Sequence, residues 1–212
     1  MHLTQEQIQQ TPRIKRLNLI NSITGVKPAN LIGTVSDDGH TNLAVFSSIV
    51  HLGSNPALLG FVLRPQHEVM RDTYDNILQN KCYTINHIHT DFIENAHYTS
   101  AKFDKDESEF DKCNFTEEFL FDFQAPFVKE SRVKLAMQLE DMLPIELNNC
   151  MMVIGSIQHL WIDDMAVEDD GQINLELLND VAIGGLNSYY RLERIGQFPY
   201  ARANELPDFD KF

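Results

Sequence analysis

Two clusters in this chain carry residue types that could hold a small anion. The first is Ser47-Ser48, adjacent hydroxyls closing a largely apolar segment that starts at Thr41. The second is Arg71-Asp72-Thr73, a cation, a carboxylate and a hydroxyl at an expected helix start. A phosphate needs several donors converging where no bulky side chain intervenes. Hydroxyls, an arginine and the free N–H groups of a helix start supply them. No Gly-x-Gly-x-x-Gly and no Walker lysine motif is present. A nucleotide would therefore be held by side chains at strand ends. Both clusters also have a plain structural meaning, since Ser-Ser commonly ends a strand and Asp-Thr commonly caps a helix.

Other titratable residues point less clearly to chemistry. His87 and His89 face the same way on an extended segment, with His97 farther on. No cysteine or carboxylate stands at ligand spacing from them, so no metal site is expected. Cys82, Cys113 and Cys150 are widely separated and form no Cys-x-x-Cys pair, so they read as buried reduced thiols. Glu140-Asp141 and Asp163-Asp164 read as solvated acids where strands end, and Trp161 as edge packing. Residue order alone supports no nucleophile–histidine–carboxylate series.

Composition bounds the partners. The 212 residues carry a formal charge of −14, which disfavours nucleic acid and anionic membranes. A small anionic ligand is still allowed, because a local donor cluster outweighs charges beyond a Debye length of about 8 Å. No apolar run reaches the ~18 residues of a membrane span. Met1 to Arg16 is polar and lacks a signal-peptide core, so cytoplasmic residence is expected.

The elements that must position these residues follow from periodicity and turn chemistry. Thr4 caps a short helix ending before Pro12, and Ile14, Leu17, Leu19 and Ile20 mark a second apolar segment. Leu31 to Val35 and Thr41 to Phe46 are strands joined at Asp38-Gly39, a dipeptide suited to the left-handed turn of a hairpin. Ala57 to Leu63 is nearly continuous in apolar residues and reads as buried on both faces. Asp72 or Thr73 caps a helix with Ile77 and Leu78 turned inward. Cys82 to Asn86 is a strand, Asp91 caps a helix through His97, and Ser108-Glu109-Phe110 makes a single turn. Arg132 to Met142 alternates as a half-buried strand, Met151 to Trp161 is a long apolar one, and Asp170-Gly171 marks a second turn. Many short strands with few helices predict a mainly β protein, an antiparallel barrel with helical decoration. The expected division is a lead-in over 1–27, one domain over 28–202 and a tail over 203–212.

A family resemblance runs along most of this order. Pro28-Ala29-Asn30-Leu31-Ile32-Gly33-Thr34, Asp38-Gly39, Asn42 to Ser48, Asn55-Pro56, Arg71-Asp72-Thr73, Asn76-Ile77 and Thr84-Ile85-Asn86 resemble the flavin reductase-like family of FMN-binding split barrels. Ser100-Ala101-Lys102-Phe103, Ser108 to Asp111, Ala125 to Val128, Glu130-Ser131, Tyr189-Tyr190 and Tyr200-Ala201-Arg202 continue the match. The resemblance implies an antiparallel split barrel binding FMN noncovalently and accepting hydride from NADH or NADPH. It also implies a homodimer and an electron acceptor such as a flavin-dependent oxygenase. An FMN-binding electron carrier and a non-enzymatic barrel are the alternatives. The implied site comprises Asn42, Phe46, Ser47 and Ser48 along the flavin, and Arg71, Asp72, Thr73 and Arg64 round the phosphate. Lys102 and Tyr190 fall on the ring side. Where members commonly place a shorter Gly- or Ser-rich loop, this chain has Pro65 to Met70.

Overall fold

The computed structural model describes residues 1–65, 72–104 and 107–209. It opens with two helices, α1 (Gln5–Gln10) and α2 (Arg13–Ser22). Thr4 caps α1 through a reciprocal box, its hydroxyl accepting from the Gln7 amide while the Gln7 side chain accepts from the Thr4 amide. Neither helix contains a buried residue; in α2, Ile14 and Ile20 are exposed while Leu17 and Leu19 are partly covered.

The strands follow: β1 (Val26–Pro28), β2 (Asn30–Val35), β3 (Thr41–Phe46), β4 (Val50–Ser54) and β5 (Ala57–Leu63). Helix α3 (Asp72–Asn80), strand β6 (Cys82–His87) and helices α4 (Ile93–Tyr98) and α5 (Glu109–Lys112) come next. The rest comprises β7 (Glu117–Glu118), β8 (Phe127–Val128), the long β9 (Val133–Ile145) and β10 (Cys150–Ile162), then β11 (Val181–Gly184) and β12 (Ser188–Arg191). The β2–β3 hairpin turns where Gly39 takes φ +83°, a conformation glycine adopts without steric cost.

Seven strands form one antiparallel sheet in the order β3-β2-β6-β9-β10-β5-β4. Its two edge strands are consecutive in the chain, so residues 47–49 bring the sheet round onto itself. Phe46 meets Phe61 edge-to-face across this closure, with centroids 5.2 Å apart. The enclosed core holds Ile32, Phe61, Tyr83, Ile85, Met137 and Val153. Fully burying side chains of this size contributes roughly 1.5–3 kcal/mol each. On the outer face, Leu31 and Leu43 pack beneath Phe92, Phe110 and Phe115. A smaller sheet, β1-β11-β12, flanks the barrel. The architecture is the antiparallel split barrel with a few short helices that the resemblance implies.

Several local expectations are corrected. Ala57 is exposed and β5 is only partly buried, because its outer neighbour β4 is itself an exposed edge. Ile77 is buried but Leu78 is exposed, since adjacent helix positions are about 100° apart and cannot share one face. The turn before α4 is capped by His89, whose Nδ1 accepts from the Asp91 amide. Glu140-Asp141 lies within β9, at a register shift opposite Ile154-Gly155, so this pair marks a bulge and not a strand end. The first half of β9 is buried on both faces, including Lys134, whose ammonium pairs with Glu118 and lies over the Trp161 ring.

Candidate functional site

The barrel closure gathers a group of polar residues. Ser48 ends the β3 run, and its hydroxyl bonds the backbone of Val62 on β5. Ser47 beside it is half-buried. Arg64 follows β5, is exposed, and makes no ion pair among the described residues. Lys27 of β1 lies in the field of Arg64: its pKa is lowered first by burial and then by that guanidinium. Its ammonium donates to the carbonyls of Asn21 and Gly185, each at 3.1 Å. On a chain of net charge −14, Lys27 thus feels the charge of Arg64, with no carboxylate bonded to either among the described residues. That arrangement accommodates an anion.

Tyr190 adjoins the same rim. It pairs across β12 with Ala182, which pairs with Pro28 on the far side. Its ring lies against Gly184, where a Cβ would come within 2.6 Å of it. The Gly184-Gly185 turn therefore does two things: it admits the Tyr190 ring and supplies a carbonyl to Lys27.

A second group sits under α3. Asn42 donates to the hydroxyls of Thr73 (3.0 Å) and Thr34 (3.3 Å), and Asn76 donates to Thr34 at 3.1 Å. All four residues are buried, so this network ties α3 to β2 and β3. The Thr73 oxygen accepts from Asn42 and keeps its own hydrogen for another acceptor. Asp72 lines a cleft of about 660 Å³ that also carries Asp37, Asp38, Asp75, Glu107 and Glu109. Within it, burial and, to a smaller degree, the charge of Asp72 push the Glu109 pKa up, while a bond from the Leu43 amide works the other way.

At the closure the structure bonds Ser48 to Val62 of β5, two residues before Arg64, with Phe46 against Phe61. It brings Asn42, Asp72 and Thr73 together under α3. Lys102 stands exposed beyond α4, and no described hydrogen bond or ion pair links it to either group. Arg71 and the segment 66–70 lie outside the described residues. Lys27 is the rim residue that sequence reasoning missed, because a single lysine in a polar lead-in carries no pattern. Its neighbours come from Gly185 and Arg64, distant in sequence. Among the described residues, no set of three or more His, Cys, Asp or Glu is placed to hold a metal. No described helix is long and apolar enough to cross a membrane.

The sequence profile of the flavin reductase like domain matches residues 26–179. The chain belongs to this family. The structure superposes on that of a split-barrel protein from Shewanella frigidimarina NCIMB 400, provisionally a flavin reductase. The TM-score is 0.91 with 46% identity, covering 95% of this chain and all of that one. Nitrilotriacetate monooxygenase component B from Bacillus cereus shares the fold at TM-score 0.83 and 18% identity, covering 93% of this chain and 98% of that one. An uncharacterised Aquifex aeolicus (strain VF5) protein is 24% identical over 180 residues, 84% of this chain and 90% of its own length. The flavin reductase-like family member described here therefore has its barrel closure, from Lys27 to Ser48, inside the matched region.

Proposed function

We propose that this flavin reductase-like protein binds FMN noncovalently and reduces it with NADH or NADPH. The observation that carries the reading is that Lys27 lies in the field of Arg64, two residues beyond the Val62 backbone to which Ser48 is bonded. This donor set fits a phosphate: two positive groups and the Ser47 hydroxyl, the Ser48 hydrogen being given to the Val62 carbonyl. By the family resemblance, Arg71 and Thr73 serve the phosphate end of the ligand, and Asn42 holds the Thr73 hydroxyl by donating to it. Phe46 lines the flavin, and Lys102 and Tyr190 stand on the ring side.

The flavin supplies the redox chemistry when bound. The protein's work is to hold the phosphate, exclude water from one side and leave the other open to a nicotinamide. An oxygenase as electron acceptor accords with the family and with the monooxygenase component that shares the fold. The free state of Cys82, Cys113 and Cys150 suits a reducing, cytoplasmic setting. A homodimer accords with the exposure of Ile14 and Ile20 on α2 and of Ile195, Phe198 and Tyr200 beyond β12.

Purified protein is expected to be yellow or to take up added FMN, with the flavin released by acid. It should then consume NADH or NADPH in an FMN-dependent manner. A protein that stays colourless in excess FMN overturns the proposal. FMN binding without nicotinamide turnover points instead to an electron carrier.

A further inference from the structure

Residue order offered no histidine–carboxylate pair, but the fold makes one. His87 Nδ1 lies 2.6 Å from Asp180 Oδ2, joining the end of β6 to the residue before β11. The Asp180 side chain is almost fully buried while that of His87 is about a quarter exposed. The imidazole Nε2 makes no described hydrogen bond, so a half-open ring is held by a buried carboxylate. Such a carboxylate fixes the tautomer by taking the Nδ1 hydrogen, which leaves Nε2 to exchange protons.

Two further observations mark this as more than a structural tie. Asp180 Oδ1 and Asn30 Nδ2 are both buried without a hydrogen-bond partner among the described residues. Buried polar atoms are nearly always paired, and exceptions gather where a group is kept for a task. Asn30 is also the strand partner of both His87 and Phe46. Paired residues of antiparallel strands project to the same face, so Phe46, Asn30 and His87 form one row at the barrel closure. Two strand spacings put His87 roughly 10 Å from Phe46. The charged groups one step further out pair among themselves: Arg132 with Asp91 at 3.2 Å, and Asp91 with His89 at 3.5 Å. His89 donates to or accepts from its own backbone partners, which leaves Asp180 as the one charged group bonded to His87.

We propose that His87 is the proton-exchanging residue of the flavin rim and that Asp180 is its positioning residue. The inference rests on the FMN reading above. Hydride from the nicotinamide carries two electrons and one proton, so leaving a reduced flavin neutral requires one proton more. His87 releases that proton from Nε2, becomes neutral, and regains a proton from solvent, while Asp180 keeps the Nδ1 hydrogen throughout.

The test uses the full chain loaded with FMN. FMN titration of wild type, His87→Gln and Asp180→Asn comes first: wild type that binds no FMN overturns the flavin reading, whereas equal affinity in all three isolates the present one. Bound FMN is then reduced by excess methyl viologen radical cation, whose own oxidation takes up and releases no proton, in weakly buffered solution with a pH-indicating dye. In wild type, proton uptake should accompany flavin bleaching. In His87→Gln it should lag at least tenfold and be restored by added imidazole, and Asp180→Asn should lag with His87 still in place. Uptake in step with bleaching in both variants overturns the proposal. On unmodified protein, ¹⁵N-histidine spectra should show the His87 Nε2 signal change when the flavin is reduced, and an unchanged signal overturns it equally.

Discussion

The Ser48 hydroxyl lies 3.1 Å from the amide nitrogen of Val62 and 3.2 Å from its carbonyl oxygen. One side chain thus accepts from and donates to the same residue of β5, stitching the end of β3 to that strand where the barrel closes. Its neighbour Ser47 makes no such bond. The two serines, equivalent in the sequence, have separate duties.

Ser48→Ala strands both Val62 backbone groups in a half-buried setting and should lower stability by about 1–3 kcal/mol. Ser47→Ala should stay within about 0.5 kcal/mol of wild type. Urea melts measure both, and equal melts would remove Ser48 from the closure.

Lys27→Ala and Arg64→Ala should each weaken FMN binding by roughly tenfold to a hundredfold, the loss of one charge-assisted bond of about 1.5–3 kcal/mol. Riboflavin, which lacks the phosphate, should bind all three proteins alike. Fluorescence-quenching titrations compare the two ligands, and a matching loss for riboflavin would mean that these cations do not face a phosphate.

Thr73→Val removes one acceptor of the buried Asn42 amide, whose remaining contact to Thr34 is the longer one. A destabilisation of about 1–2 kcal/mol is expected, together with weaker FMN binding. Thr73→Ser should restore both, because the hydroxyl and not the methyl does the bonding. Thermal melts and FMN titration of the two variants decide it.

Glu109 supplies a pH-dependent prediction. Burial raises its folded pKa above the unfolded value, outweighing the bond from the Leu43 amide, with the charge of Asp72 a minor addition. The folded state then binds more protons than the unfolded one between those two values, so this residue's contribution to stability falls as pH rises through that window. The penalty is complete above the folded pKa and absent below the unfolded value of about 4.3. Glu109→Gln should therefore stabilise the protein at pH 7, and the gain should vanish near pH 4. A gain of equal size at both pH values would contradict the assignment.

Gly33→Ala tests the packing of β2. A Cβ there would stand 2.4 Å from the Pro126 carbonyl oxygen and 2.6 Å from Thr84 Oγ1, and a backbone oxygen cannot move aside cheaply. Overpacking of this kind costs about 1–3 kcal/mol, readable as a lower urea midpoint. An unchanged midpoint would show that the 125–127 segment yields.

Much of the fold was legible because its signals are local. The Asp38-Gly39 turn, the alternation from Val133 to Leu139 and the Thr4 cap each depend on residues a few positions apart. Six strands, β1, β4, β7, β8, β11 and β12, escaped for the opposite reason. Val26–Pro28 is too short for any period, and Val50–Ser54 is an exposed edge interrupted by Gly53. The candidate site was legible only in pieces: the Ser48 hydroxyl is bonded to the Val62 backbone of β5, whereas Asn42 and Thr73 are bonded to one another beneath α3.

By itself the sequence determined the family and the β character of this protein, since turn chemistry, periodicity and ordered motifs are written in neighbouring residues. Only the tertiary structure decided which polar groups meet. Lys27 reaches the Gly185 carbonyl, and His87 reaches Asp180 93 residues later. Strand pairing and barrel closure create these contacts, and the entropy of closing such long loops is offset by the buried core and not by any local preference of the residues concerned.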